Sequence, residues 1–226
     1  MNKQVSVSFM VMGILFSVCL VLSNILAVKQ FDIFGFPSTA GLIIFPVSYI
    51  INDCIAEVWG FKKARFIIWI AFAVNFFAIL LFQISVVLPP AGYWEMQQEY
   101  SMVLAQTPRI AVASLAAFLC GSFLNAYVMS KMKVMHKGRH FGLRAIVSTI
   151  VGELADTVVF TTVGFLFAIP FQAVLMIILT ETVLKTLFEI VVLPLTSRVV
   201  RRVKKMEGVD VYDKGISYNV LRIKEI

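Results

Sequence analysis

Residues 66–94 read FIIWIAFAVNFFAILLFQISVVLPPAGYW and hold no charged side chain. About 20 consecutive apolar residues cross the hydrocarbon of a bilayer as an α-helix, so this stretch decides the fold class. Residues 4–28, 33–52 and 110–130 are equally free of Asp, Glu, Lys and Arg. Of the 226 residues, 60% are apolar and 15% charged; a soluble domain has about 45–50% and about 25%. The mean hydropathy is +0.90. A soluble enzyme, a secreted disulfide domain and a disordered protein are excluded. A transmembrane β-barrel is excluded too, because its strands alternate over roughly 10 residues. The first apolar run is longer than the roughly 7–15-residue core of a signal peptide, and no A-x-A site follows it. Cys19, Cys54 and Cys120 form no C-x-x-C pair and read as free thiols packed in helices.

Beyond residue 144 two more apolar stretches are interrupted by charge. Residues 145–169 contain Glu153 and Asp156, residues 171–197 contain Glu181, Lys185 and Glu189, and Pro170 separates the two. The expectation is an all-α polytopic membrane protein with six transmembrane helices, at about 5–28, 38–59, 66–88, 110–130, 145–168 and 172–197. The transmembrane domain then covers 1–206, and 207–226 forms a short cytoplasmic tail that folds back around Asp213-Lys214-Gly215. Pro37 and Ser38 read as the start of the second helix and Gly60 as its stop. The alternating connection 29–37 reads as a short hairpin. Pro46 and Pro194 fall inside spans and should kink them.

Cytoplasmic loops collect Lys and Arg. With the N-terminus inside, Lys3, the 62–65 and 131–144 connections and the segment after residue 197 hold 17 of the 20 basic residues. Lys29 and Arg109 lie outside and Lys185 lies within a span. Both termini are therefore expected in the cytoplasm. The net charge of +7 reads as topology, not as nucleic-acid recognition.

A charge at the bilayer centre costs about 2.5–3.5 kcal/mol on insertion scales, so deep polar groups need partners, water or a function. The fifth helix carries Thr149, Gly152, Glu153, Asp156 and Phe160 on one stripe, since offsets of three, four and seven return to the same face. On the sixth, Lys185 stands four residues after Glu181 and four before Glu189. An intrahelical ion-pair ladder is one account of that spacing. With Glu153 and Asp156 added, four acids face one Lys, an excess that fits a cationic or hydrogen-bond-donating substrate, or bound protons. The second helix ends in Asn52, Asp53 and Glu57. Counted from Ser38, Asp53 lies about 22 Å along it, toward the cytoplasm, and Glu57 is within reach of Lys62 or Lys63. The fourth helix lines Ser114, Gly121 and Asn125 on one face, and Ala113, Ala117 and Gly121 form a small-xxx-small series for close packing. Arg109, at its outer end, suits a lipid phosphate or an acid. Tyr93, Trp94 and Tyr100 in the outer loop 89–109 fit an interfacial belt, or a lid over a substrate path. His136 and His140 lack a third metal ligand nearby.

The substrate-binding candidates are therefore Asp156, Glu153, Thr149 and Phe160; Asp53 and Asn52; Ser114, Asn125 and Arg109; and Glu181, Lys185 and Glu189. Asp156, about halfway along the fifth helix, is the first choice for the substrate carboxylate, and Asp53 suits an inner gate. Neither a nucleophile–base pair nor a metal cluster occurs in the spans, so no reaction, cofactor or metal is expected.

Six stretches together resemble the queuosine precursor transporter branch of the vitamin uptake transporter family. They are SNILAVK (23–29), FPVSYIINDCIAEVWGFKKAR (45–65), RIAVASLAAFLCGSFLN (109–125), RAIVSTIVGELADTVVF (144–160), ETVLKTLFE (181–189) and VDVYD (209–213). The resemblance implies a multi-pass protein of the bacterial cytoplasmic (inner) membrane. It implies uptake of 7-cyano-7-deazaguanine, its aminomethyl analogue or queuine, for salvage into tRNA modification. The residues agree: a guanine-like edge offers an N–H and an amino group side by side, and one carboxylate accepts both. Phe160 or Tyr49 is suited to stacking on the flat ring.

Two mechanisms compete. One is a self-sufficient secondary transporter. The other is the substrate-binding subunit of an energy-coupling-factor complex, which needs a separate ATPase and uses an Ala-x-x-x-Ala motif on its first helix. Here the first helix has no such pair, and Ala113 and Ala117 lie on the fourth. Six helices are few for alternating access, which leaves room for a homodimer. The second and fifth helices run in opposite directions and each carries Ser-Thr, Gly and an acid, the trace an inverted repeat would leave.

Overall fold

The computed structural model of the protein describes residues 6–33, 36–105, 108–168 and 170–222. Lys3 and Lys224 of the charge count, Phe34 and Gly35 of the hairpin connection, and Val5 at the expected start of the first helix lie outside the described residues. Helices follow in the order α1 (Val7–Leu26), α2 (Phe45–Trp59), α3 (Phe61–Val87), α4 (Gln97–Leu104), α5 (Pro108–Met135), α6 (Phe141–Phe165) and α7 (Phe171–Glu207). Between α1 and α2, strands β1 (Gln30–Ile33) and β2 (Phe36–Thr39) pair antiparallel, with Gln30 opposite Thr39 and Ile33 opposite Phe36.

The element ends have local causes. The Ser6 hydroxyl accepts the Phe9 amide at 3.2 Å and caps α1. Gly60, with φ +82°, makes a one-residue corner between α2 and α3, a conformation that glycine adopts without steric cost. Pro37 and Ser38 are not the start of a helix. They belong to β2, and the hairpin continues as the Ala40 amide donates to the Lys29 carbonyl at 2.8 Å. A 3₁₀ turn, Ala40–Ile43, follows before α2 begins. Asp53 therefore lies about 12 Å along α2 rather than 22 Å. The likeness of the second and fifth helices weakens accordingly, since Ser38-Thr39 is strand and Ser148-Thr149 is helix.

Pro46 does not kink α2. It sits in the first turn, where the missing N–H leaves no hydrogen bond unmade. Pro194 does fall inside α7, which continues past it. That helix does not stop at 197. Its basic residues are good helix formers and carry it on to Glu207, where Gly208 (φ +63°) ends it in the left-handed conformation. The connection between α3 and α5 also contains a helix that hydropathy did not reveal, α4. The Tyr100 hydroxyl donates to the Ser85 hydroxyl at 2.8 Å, and Gln97 donates to the Val86 carbonyl, which docks α4 on the end of α3.

Five regions are long and apolar enough to cross a membrane among the described residues: Val7–Leu26, Ala40–Trp59, Phe61–Val87, the region Gln97–Met135 that holds α4 and α5, and Phe141–Phe165. Ile14, Phe77, Ile84 and Leu179 point outward from their helices. The chain is an all-α polytopic membrane protein, with the β1–β2 hairpin as a small appendage. Lipid tails are as apolar as Leu, so close backbone approach rather than water exclusion holds such helices together. The closest pair is α5 and α6, which meet at Gly121 and Gly152; a Cβ on either would lie 2.9 Å from the other's carbonyl oxygen. Helix α7 closes against α6 and α2, while α1 and α3 flank α2 and α3 also meets α5.

The segment after α7 packs back on the bundle. The Val211 amide donates to the Val58 carbonyl at 3.1 Å. The Asp213 carboxylate accepts the Phe61 amide at 2.8 Å and the Ser130 hydroxyl at 2.6 Å. Helix α3 has no side-chain cap of its own neighbourhood, so Asp213 caps it from 152 residues away. Arg65 donates to the Asn219 carbonyl at 2.7 Å and Trp69 to the Val220 carbonyl at 2.8 Å.

Candidate functional site

Helix α6 buries Thr149, Gly152, Glu153 and Asp156 on one face, and α7 brings Lys185 across to it. The Lys185 Nζ lies 3.2 Å from Glu153, 3.8 Å from Asp156 and 3.9 Å from Glu181. It also sits 4.4 Å from the centre of the Phe45 ring. The cation therefore ties two helices together, and the intrahelical ladder accounts for Glu181 alone. Glu189 takes no part in it. That carboxyl is fully buried and its two oxygens accept no hydrogen bond.

Helix α2 supplies the opposite wall. The Ser148 hydroxyl of α6 lies 3.3 and 3.4 Å from the two Asp53 oxygens, and the Glu189 charge bears on Asp53 from α7. Asn52 donates to the Asn125 side-chain oxygen at 2.8 Å and to the Ser122 carbonyl at 3.0 Å. One turn before Asp53, Tyr49 reaches into the α5–α6 crossing. Added Cβ atoms at Gly121 and Gly152 would collide with its hydroxyl and its ring. Buried side-chain atoms without a hydrogen-bond partner occur on all three of α2, α6 and α7: the Tyr49 hydroxyl, the hydroxyls of Thr149, Thr157, Thr161, Thr182 and Thr186, and the Glu189 carboxylate. Buried polar atoms without partners are costly in free energy.

Three of the expected residues lie apart from this group. Among the described residues Arg109 meets neither an acid nor the cluster; it donates to the Val163 carbonyl at 2.7 Å and the Leu166 carbonyl at 2.6 Å, satisfying the last turn of α6. Ser114 donates to Asn24 at 3.2 Å, and Asn24 donates to Asn75 at 2.9 Å, a separate neutral network joining α1, α3 and α5. Phe160 follows the stripe of α6 but packs edge-on against Phe165, with ring centres 5.7 Å apart. Sequence reasoning found Thr149 and missed the hydroxyls of Thr157, Thr161, Thr182 and Thr186; the spacing Thr182, Thr186, Glu189 was an available signal. Among the described residues no group of three or more His, Cys, Asp or Glu side chains is arranged to hold a metal ion.

A second charged cluster stands at the end of α2. Glu57 does not pair with Lys62 or Lys63. Its carboxylate accepts both guanidinium nitrogens of Arg144 from α6 and the Lys204 ammonium of α7 at 2.6 Å, with Lys133 of α5 at 3.9 Å. Lys133 donates also to Asp210 and to the carbonyls of Glu57 and Val211. Burial alone would push the Asp210 carboxyl up; the hydrogen bonds from Lys133 and Lys204 outweigh it and hold the carboxyl below its ordinary value. The corner thus locks α2, α5, α6, α7 and the following segment into one unit.

The sequence matches known proteins over this same region. A family described as putative vitamin uptake transporter matches residues 39–199, which contain both walls of the acidic cluster. The chain is 29% identical over 175 residues to the probable queuosine precursor transporter of Bacillus subtilis, covering 77% of this chain and 76% of that protein. It is 29% identical over 143 residues to the queuosine precursor transporter of Escherichia coli, covering 63% and 62%. It is 30% identical over 144 residues to a probable queuosine precursor transporter of Haemophilus influenzae, covering 62% and 57%. No solved structure matches it at a significant level.

Proposed function

The chain belongs to the vitamin uptake transporter family, and from that premise we propose that it imports queuosine precursors across a bacterial inner membrane. The substrates are 7-cyano-7-deazaguanine, its aminomethyl analogue or queuine, taken up for tRNA modification. The observation that carries this reading is the meeting of Glu153 and Asp156 with Lys185, among buried hydroxyls that have no partner. Asp156 is the carboxylate for the paired N–H and amino donors of the ring. Glu153, Thr149, Asn52, Asn125, Glu181 and Lys185 shape and neutralise the site around it, and Asp53 with Glu189 stands on its far side. Arg109, Ser114 and Phe160 serve the helices that frame the site.

Transport runs through six spans, with residues 172–197 of α7 as the sixth despite the three charges they carry, and both termini face the cytoplasm. Lys133, Arg144 and Lys204 gather at the face where the count of Lys and Arg is highest, which supports that orientation. The mechanism is secondary transport rather than service as an energy-coupling-factor subunit. Ala113 and Ala117 are buried within the chain, with Ala113 packed on Gly164, so they offer no exposed coupling face. The decisive test is uptake of labelled 7-cyano-7-deazaguanine by cells unable to make it, with this protein as the one addition. Accumulation without an added ATPase module is expected. Failure to accumulate despite correct insertion refutes the reading. Labelling from outside at cysteines engineered near Trp94, and not near Lys137, is the expected topology; the reverse pattern overturns it.

A further inference from the structure

We propose that Tyr49 is a specificity residue of this site, its hydroxyl donating to the ring carbonyl that lies beside the N–H held by Asp156. The inference rests on the deazapurine reading above and adds to it a donor for the ring carbonyl. Carboxylates only accept. A guanine-like edge presents two donors and, next to them, one carbonyl acceptor. Asp53, Glu153 and Asp156 answer the donors. Among the donors of the site, Lys185 is drawn to Glu153 and Asp156 and Asn52 to Asn125 and Ser122, which leaves the Thr149 and Tyr49 hydroxyls, and of these the Tyr49 hydroxyl meets Asp156 at Gly121.

Tyr49 has the required chemistry and position. It is 3% exposed, and its hydroxyl has no hydrogen-bond partner. It donates to none of Asp156, Glu153 and Asp53. Its ring is not free to stack on a substrate. The ring is wedged at the Gly121–Gly152 crossing, where a Cβ on Gly152 would come within 2.8 Å of Cε1, and Phe45 packs beside it with centres 5.6 Å apart. A Cβ on Gly121 would lie 2.8 Å from that of Asp156 and would also strike the Tyr49 hydroxyl, so one glycine brings the phenol and the carboxylate together. The side chain is therefore held by its ring and unspent at its tip. A phenol beside a carboxylate makes a donor–acceptor edge, complementary to the carbonyl and N–H of a 6-oxo ring.

The test compares 7-cyano-7-deazaguanine with its 6-thio analogue, which keeps the N–H and amino donors but has a poor acceptor. Binding of both to purified wild-type protein and to Tyr49→Phe is measured by competition. Tyr49→Phe keeps the ring that fills the crossing, and thermal melting checks its fold. The wild type should prefer the 6-oxo compound roughly 5–10-fold, the worth of one neutral hydrogen bond, and Tyr49→Phe should bind the two within about twofold. Equal affinities in the wild type, or an unchanged preference in Tyr49→Phe, overturn the role of Tyr49 and leave the deazapurine reading standing. Failure of the wild type to bind either compound overturns both.

Discussion

Replacing Glu57 by Gln keeps the volume at the end of α2 and removes the one carboxylate that three cations share. In the intact corner, Arg144, Lys133 and Lys204 are balanced by Glu57 and Asp210. After the change only Asp210 remains. The Arg144 guanidinium is fully buried, and it keeps only the carbonyls of Arg139 at 3.1 Å and Gly138 at 3.2 Å and the Met129 sulfur. Breaking a buried ion pair from one side costs about 3–5 kcal/mol, because the other charge is stranded. Lys204 is 22% exposed and can turn to water, so the lower end, about 3 kcal/mol, is expected. For a chain of this size that is a fall in melting temperature of roughly 6–12 °C. Melting of the detergent-solubilised protein, followed by size exclusion, measures it. Asp210→Asn is the control: its side chain is 42% exposed, and pairs of that kind are worth roughly 0.2–1 kcal/mol. Glu57→Gln combined with Arg144→Gln should melt higher than the sum of the two single losses, because no charge is then stranded. A Glu57→Gln protein that melts within about 2 °C of wild type, or strict additivity in the double variant, refutes the reasoning.

Asp156→Asn replaces a two-oxygen acceptor by one acceptor and one donor, and should weaken deazapurine binding at least about tenfold while insertion stays normal; unchanged affinity by calorimetry counts against it. Asp213→Ala removes the cap of α3 and the partner of Ser130, a loss of about 1–2 kcal/mol in a melting assay. Gly121→Ala should lower transport far more than expression, since the new methyl would strike Tyr49 and come 2.9 Å from the Gly152 carbonyl; normal uptake would show that the crossing tolerates separation. Asp210 has a depressed pKa, so the stability it lends is complete above its unfolded value, about 3.9, and is lost as the pH falls through the lower folded value. Fluorescence of Trp69, with Trp59 and Trp94 replaced by Phe, should report release of residues 208–222 in that acid range and no change between neutral and pH 5.

The long helices are legible in the sequence because lipid demands uninterrupted apolar runs, and that demand is local. The acidic stripe of α6 is legible for the same reason: a 3.6-residue period needs no knowledge of partners. What the stripe meets is another matter. Lys185 turning to Glu153 instead of staying on its own helix depends on how α7 lies on α6, which no periodicity encodes. Glu57 is the clearest miss, because its partners are 87 and 147 residues away while Lys62 and Lys63 are near in sequence. Arg109 misled for a chemical reason. Its guanidinium suits carboxylates, phosphates and helix-end carbonyls alike, and only the geometry of α6 chooses. At Pro37 and Ser38, helix-start residues were outvoted by a hairpin whose hydrogen bonds reach back to Lys29.

Asp213 caps a helix that begins at Phe61, and this ties the order of synthesis to the order of folding. Helix α3 leaves the ribosome and inserts with the amide of Phe61 unsatisfied by any side chain of its own neighbourhood. The carboxylate that answers it is made only after α4 to α7 have followed. Until then the Gly60 corner lacks both the Asp213 carboxylate and the Val211 side chain that pack on it in the folded protein. A chain stopped short of Asp213 would carry its helices yet keep that corner unfinished, a mark by which an incomplete product differs from a finished one.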